Sequence, residues 1–279
     1  MFIKPKFWDF KKPNFISYIL LVFTIPLKIN NFLLNFKTKK KSKKTKTICI
    51  GNIYVGGTGK TPSTIKLYKL LKKEGYDLFT AKKNYTSQID EQILLKDKTN
   101  FITKKTRKKI VEFAEQENTD LVIFDDGLQD RKISYDIQFV CFDALNWIGN
   151  GQLIPAGPLR EKLSSLRKYD AVLLKDQYLD TEKIIKLIKF YNNEIMIFNT
   201  NYEIINLKNF SPLDKYLIFS GIGNPKSFKN LIIKNNLNVL EEIIYPDHYK
   251  YKKKDLDEIK EKANFLQAKI ITTEKDFVK

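Results

Sequence analysis

The sequence predicts an α/β fold, a sheet with helices on its flanks, and three observations support it. From Thr47 onward, short apolar runs alternate with longer amphipathic stretches, the pattern of strands and helices that pack into layers. A glycine-rich stretch, GNIYVGGTGKTP at residues 51–62, separates the first apolar run from the first amphipathic one. Another apolar run, LVIF at 121–124, ends in the paired carboxylates Asp125 and Asp126.

Taken in order, the chain begins with a segment unlike the rest. Residues 15–27 (FISYILLVFTIPL) are uncharged and apolar, preceded by Lys4, Lys6, Lys11 and Lys12 with Trp8 among them, and followed at 37–46 by seven lysines in ten positions. About 20 apolar residues are needed to span a bilayer, and this run of 13 contains Pro26 near its end. No small-residue cleavage site of a signal peptide follows. The expected element is a membrane-associated helical segment lying in the interface with its lysines on anionic headgroups. A true span, and a helix packed on the protein's own core, are the alternatives.

Residues 47–52 then read as a strand, and 61–73 as a helix with Ile65, Leu67, Leu70 and Leu71 on one side. Further strands are expected at 78–81, 121–124, 137–142, 171–174, 195–198, 216–219 and 270–272, and helices at 181–191 and 226–235. The polar, Pro-containing stretch 207–214 suggests a lobe boundary. The expected domains are therefore 1–46, the membrane-associating segment with its polybasic stretch; 47–206, the core around the glycine-rich loop; and 207–279, a C-terminal α/β lobe, the two lobes facing a cleft.

With 279 residues and 43% hydrophobic content the chain can bury a sizeable core. Fifty basic against 32 acidic residues give a formal charge of +18, which favours polyanionic partners without choosing among nucleic acid, anionic lipid and phosphorylated substrates. Cys49 and Cys141 each sit inside an apolar run and read as core residues.

The glycine-rich stretch has the context of a phosphate-binding loop: a strand before it, a helix after it, and backbone N–H groups free to point at phosphate oxygens. Tyr54, Val55, Gly56, Gly57, Thr58, Gly59, Lys60 and Thr61 are the expected nucleotide contacts. Lys60 would reach the β- and γ-phosphates and Thr61 would place its hydroxyl on Mg²⁺. The spacing G-x-x-x-x-G-K-[ST] is not met, because Tyr54 stands five before Gly59, so Gly56 and Gly57 must make the turn. Asp125 and Asp126, delivered to the C-terminal edge of the sheet, are candidate metal ligands. Together these predict a P-loop NTPase-like sheet that binds ATP with Mg²⁺.

Several longer phrases occur in order: VGGTGKTP, DDGLQ, GNGQLIPAGPLRE (149–161), FSGIGNP (219–225), PDHY (246–249) and ITTEKDFVK (271–279). Together they closely resemble the tetraacyldisaccharide 4'-kinase family of lipid A biosynthesis, over nearly the whole chain. The resemblance implies transfer of the γ-phosphoryl of ATP to the 4'-hydroxyl of a tetraacylated glucosamine disaccharide 1-phosphate, giving the 1,4'-bisphosphorylated product. It implies a lipid acceptor, an anionic membrane surface met through the N-terminal segment, and a peripheral or monotopic location on the cytoplasmic face of the inner membrane. No nucleic acid and no obligate protein partner are expected.

Carried onto this chain, the family's catalytic acid pair falls on Asp90 and Glu91, and the histidine that orients the aspartate falls on His248, the single histidine present. Glu161 is a further candidate metal ligand, and Arg160 and Lys83 are candidate substrate or phosphate contacts. Three departures stand out: Gln92 where the family has Pro, Lys83 and Asn84 where it has Arg and Gly, and Asp130 where it has His. The chain also stops sooner after TTEKDFVK than the family pattern leads one to expect. The rival readings are a membrane-recruited P-loop ATPase or GTPase and a nucleic-acid binder using the 37–46 block. The block lacks interleaved aromatics to stack on bases, and no Asn-Lys-x-Asp guanine motif occurs.

Overall fold

The computed structural model describes residues 4–33, 40–85, 88–130, 132–176 and 179–279. The described residues divide into two compact units, the larger drawn from 4–85 and 95–200 and the smaller from 88–94 and 201–279.

In the larger unit the apolar N-terminal stretch is not one helix. It forms α1 (Phe15–Leu20) and α2 (Ile25–Leu33), with a 3-10 turn at Val22–Thr24 between them. Asn14 caps α1 by accepting from the Ser17 N–H. Among the described residues no helix is long and apolar enough to cross a membrane. One side of the segment is tied down: the buried Trp8 donates its indole N–H to the Pro155 carbonyl at 3.0 Å, and Asn150 Nδ2 donates to Ser17 Oγ at 2.9 Å. Its other side leaves Phe15, Ile19, Val22 and Phe23 exposed. The polybasic block lies partly outside the described residues. Within it β1 (Lys40–Lys41) pairs in parallel with the later β6 (Ile133–Ser134).

Seven strands make the main sheet: β2 (Lys46–Gly51), β3 (Leu78–Lys83), β4 (Phe101–Lys104), β5 (Leu121–Asp125), β7 (Ile137–Asp143), β8 (Ala171–Lys175) and β9 (Met196–Thr200). Their order is β4-β3-β5-β2-β7-β8-β9, and every pair is parallel. Parallel strands covered on both faces read as unbroken apolar runs, which is why β2, β5, β7 and β8 were legible in the sequence, whereas the partly exposed β4 was not. Side-chain alternation divides the core. Ile48, Ile50, Leu78 and Ile123 meet Leu67, Tyr68 and Leu71 of α3 (Lys60–Lys73), while Cys49, Val122, Phe124, Val140 and Val172 face away from them. That second face packs Ile110, Val111 and Ala114 of α5 (Arg107–Gln116) and Ile188 of α6 (Glu182–Tyr191). The boundary between the units runs through α4 (Ile89–Lys98).

The smaller unit has a three-stranded parallel sheet of β10 (Lys215–Ser220), β11 (Asn238–Ile244) and β12 (Lys269–Ile271), in the order β11-β10-β12. Tyr216 and Ile218 pack with Ile232 of α7 (Pro225–Lys234), and Leu217 and Phe219 pack with Ile259 and Ala263 of α8 (Lys253–Phe265). The chain closes with the short α9 (Glu274–Phe277).

Candidate active site

The phosphate-loop region begins where β2 and β5 run side by side, with Ile50 paired to Asp125. This register sets the start of the loop next to the aspartates. Asn52, fully buried, donates Nδ2 to the Gly56 carbonyl at 3.2 Å and to Thr58 Oγ1 at 3.0 Å, folding the loop back on itself. Residues 158–160 brace its outer side: Val55 N–H donates to the Pro158 carbonyl and Arg160 N–H to the Ile53 carbonyl, at 2.8 and 2.7 Å. Gly59 adopts φ +87° as the residue before α3, with no side chain capping the helix. The first N–H groups of α3 are thus left for an anion. The Tyr54 side chain is turned elsewhere; it is buried, and its hydroxyl donates to Asp9 Oδ1 at 3.1 Å.

The two aspartates have different surroundings. Asp125 is fully buried; its Oδ2 accepts from Thr61 Oγ1 at 2.9 Å and from Lys82 Nζ at 3.0 Å, while its Oδ1 has no hydrogen-bond partner. Asp126, at φ +60°, turns its carboxylate toward Arg160 Nη1 at 3.1 Å and Lys60 Nζ at 3.8 Å. Burial pushes the Asp126 carboxyl upward, but Lys60, Arg160 and Lys82 outweigh it and hold the group below the usual carboxylate range.

Gln129 ties the region together. Its Nε2 donates to the Asn52 carbonyl at 3.0 Å and to Glu161 Oε1 at 3.1 Å, and its Oε1 accepts from Arg160 at 3.3 Å. Glu161, also buried, accepts from the Tyr169 hydroxyl at 3.0 Å. Asp130, which stands where the resembling family has His, accepts from Arg107 Nη1 at 2.9 Å, and Arg107 Nη2 donates to the Asp126 carbonyl. Arg107 therefore grips the aspartate loop at both ends. Gly127 between them is required: a Cβ there would lie 2.5 Å from the Tyr135 hydroxyl and 2.9 Å from Arg107 Nε. Lys83 lies over the ring of Tyr85, 5.2 Å from its centroid, and it is the neighbouring Lys82 that reaches Asp125.

The smaller unit holds a second cluster. Asp90 and Glu91 occupy the first turn of α4, where the helix dipole favours anions. His248 Nδ1 lies 2.8 and 2.9 Å from the two carboxylate oxygens of Asp90. A left-handed backbone at φ +59°, with His248 N–H donating to the Gly221 carbonyl at 3.2 Å, turns the ring inward. Lys275 Nζ stands 3.2 Å from Glu91, 3.2 Å from Asp247 and 3.7 Å from Asp90. Lys279 is 3.8 Å from Asp90 and donates to Asp276 at 2.6 Å. Burial works against ionisation of Asp90, yet the His248 hydrogen bond and Lys275 bring its carboxyl below the ordinary range. Gly221 is closely packed: a Cβ would approach the Tyr251 hydroxyl at 3.0 Å and Asp276 at 3.2 Å, so a side chain there would have to push them aside.

Within the larger unit, then, Lys60, Thr61, Asp125, Asp126, Arg160 and Glu161 form one network, and within the smaller Asp90, Glu91 and His248 form another. Sequence reading missed Lys82, Arg107, Gln129, Lys275 and Lys279. For Lys82 and Arg107 no local signal existed. Gln129 and Lys275 lie inside quoted phrases and could have been singled out there.

The family model described as Tetraacyldisaccharide-1-P 4'-kinase matches residues 16–279. A tetraacyldisaccharide 4'-kinase of Pelagibacter ubique is 45% identical over 278 residues, 99% of this chain and 88% of that one. The corresponding protein of Rickettsia conorii is 33% identical over 292 residues, again 99% and 88%. A crystal structure of LpxK from Aquifex aeolicus in complex with ATP superposes with a TM-score of 0.67 at 22% identity, covering 94% of this chain and 89% of that one, so the P-loop fold is shared. On these matches and the fold they share, the chain belongs to the tetraacyldisaccharide-1-P 4'-kinase family.

Proposed function

We infer that this protein transfers the γ-phosphoryl of ATP to the 4'-hydroxyl of a tetraacyldisaccharide 1-phosphate. The hydroxyl oxygen bonds to the γ-phosphorus, the bond to the β,γ-bridging oxygen breaks, ADP leaves, and the hydroxyl proton passes to a carboxylate. Residues 54–61 hold the phosphates through backbone N–H groups and the start of α3, with Lys60 on the β- and γ-oxygens. Arg160 stabilises charge on the transferring group.

The residues fit Mg²⁺. Thr61 and Asp125 offer hard oxygen donors, and the buried Oδ1 of Asp125, without a hydrogen-bond partner, is an acceptor that a cation could use. Among the described residues there is no group of three His, Cys, Asp or Glu side chains that could hold a metal. Mg²⁺ on a nucleotide needs only one or two carboxylates beside phosphate and water oxygens. When bound it neutralises phosphate charge. Asp125 is the better ligand of the pair, because its Oδ1 has no hydrogen-bond partner while both oxygens of Asp126 accept from Arg160; Glu161, held by Gln129 and Tyr169, is a secondary one.

The observation that carries the reading is the Asp90–His248 contact. A P-loop hydrolase acting as a switch has no use for a buried carboxylate held ionised by a histidine and a lysine, whereas transfer to an alcohol needs a base to orient the hydroxyl and accept its proton. Asp90 is that base and His248 orients it, with Glu91 beside them. The exposed apolar side of α1 and α2, followed by the basic stretch, supports docking on an anionic membrane surface at the cytoplasmic face of the inner membrane, peripheral or monotopic.

The test is transfer of radiolabelled γ-phosphate to a tetraacyldisaccharide 1-phosphate in detergent micelles, with wild type, Lys60→Ala and His248→Ala. A bisphosphorylated lipid suppressed by both substitutions is expected. ATP hydrolysis without lipid product would instead point to a switch ATPase.

A further inference from the structure

Lys82 belongs neither to the phosphate loop nor to the aspartate run, yet it is the most deeply buried cation of the site. It lies in β3, whose pairing with β5 sets Ala81 opposite Phe124, so the next residues, Lys82 and Asp125, leave the sheet side by side. Both side chains are fully buried, with Nζ 3.0 Å from Oδ2. That oxygen also accepts from Thr61, which leaves Oδ1 as the unpartnered one. A buried carboxylate without a counter-charge is unfavourable, and Lys82 supplies that charge with no metal present. Counted with Lys60 and Arg160 on Asp126, and with Glu161 joined through Gln129, three cations face three carboxylates. With these charges matched, Asp125 offers a bare divalent cation no uncompensated negative charge, and the Lys82 ammonium beside it repels one.

We propose that Lys82, lying against Asp125, is a built-in counter-cation that keeps the site from loading a free divalent metal ion and makes metal entry depend on nucleotide. The proposal rests on the reading of residues 54–61 as a nucleotide loop. Lys82 is a positioning residue: it touches Asp125, and through it governs when the metal can bind.

The experiment is a Mn²⁺ titration of the nucleotide-free protein followed by electron paramagnetic resonance, with melting curves in EDTA and in Mg²⁺, for wild type, Lys82→Met and Lys82→Arg. Wild type and Lys82→Arg are expected to bind Mn²⁺ weakly and to melt at the same temperature with and without Mg²⁺. Lys82→Met should bind Mn²⁺ about tenfold more tightly or better, and should melt early in EDTA but recover in Mg²⁺. Unchanged Mn²⁺ affinity with a melting point lowered equally in both buffers would reduce Lys82 to a structural ion pair and overturn the proposal. Should Lys82→Met fail to fold, wild type still decides: tight Mn²⁺ binding without nucleotide overturns the idea, and weak binding tightened by ADP supports it. Binding of ATP with Mg²⁺ to wild type is measured in parallel. Its absence would sink the nucleotide-loop reading, whereas its presence with an unresponsive Lys82→Met sinks the counter-cation alone.

Discussion

His248 and Asp90 stand 158 residues apart in the chain and in direct contact in the fold, with Nδ1 2.8 Å from one carboxylate oxygen and 2.9 Å from the other. A carboxylate accepts only, so the ring proton sits on Nδ1 and the orientation of Asp90 is fixed by it. Asp90→Asn should lower kcat by about 10²–10⁴-fold, the range of a lost general base, and leave ATP affinity unchanged. Steady-state kinetics with calorimetric ATP binding would check this, and equal losses in both would remove Asp90 from the role.

The acid behaviour of the same residue has a definite sign. The Asp90 carboxyl is held below the usual range by His248 and Lys275 despite burial, so its folded pKa lies below the unfolded value of about 3.9. The ionised group then stabilises the fold at pH above the unfolded value, and that contribution disappears as pH falls through the folded one. In urea melts the stability gap between wild type and Asp90→Asn should be widest above the ordinary carboxylate range and close on acidification below it. A gap that widened there would contradict the assignment.

Arg107 tests the support of the loop that carries Asp126 and Asp130. It is buried and joins the Asp130 carboxylate to the Asp126 carbonyl. Arg107→Met leaves both without their donor and should cost about 3 kcal/mol, as for a broken buried pair. Adding Asp130→Asn should recover part of that loss, because the stranded charge is then gone. Denaturant midpoints of the two single variants and the double variant would show this, and strict additivity would mean the pair does not interact.

The N-terminal segment gives a prediction that separates surface from core. Val22 and Phe23 are 65% and 63% exposed, so Val22→Asp with Phe23→Asp should leave the melting temperature within about 2 °C, as surface changes do. Co-sedimentation with anionic vesicles should fall sharply. Unaltered vesicle binding would mean that this face does not meet the membrane.

The strands and helices named from the sequence were found to within a residue or two, because each has a strong period or an unbroken apolar run. The elements passed over were those with weak patterns. In α5 the apolar positions Ile110, Val111 and Ala114 sit among charges, and in α8 Ile259 and Ala263 are nearly alone on a lysine- and glutamate-rich helix. β11 is half-exposed along much of its length and so carries no continuous apolar signal. The single apolar stretch 15–27 became two helices joined by a turn, a break that uniform apolarity conceals.

By itself the sequence determined the α/β class, the loop at Gly51 to Pro62, and, through ordered phrases, the family and most of the candidate site residues. These are local properties, set by spacing along one strand, one turn or one helix. Tertiary structure alone decided that Lys82 rather than Lys83 meets Asp125, that Arg107 takes Asp130, and that Lys275 stands between Asp90, Glu91 and Asp247. Those pairings depend on strand register and on which way a buried side chain leaves the backbone. Such choices are fixed by the cost of leaving a charge unpaired in the interior, a cost that no stretch of sequence displays.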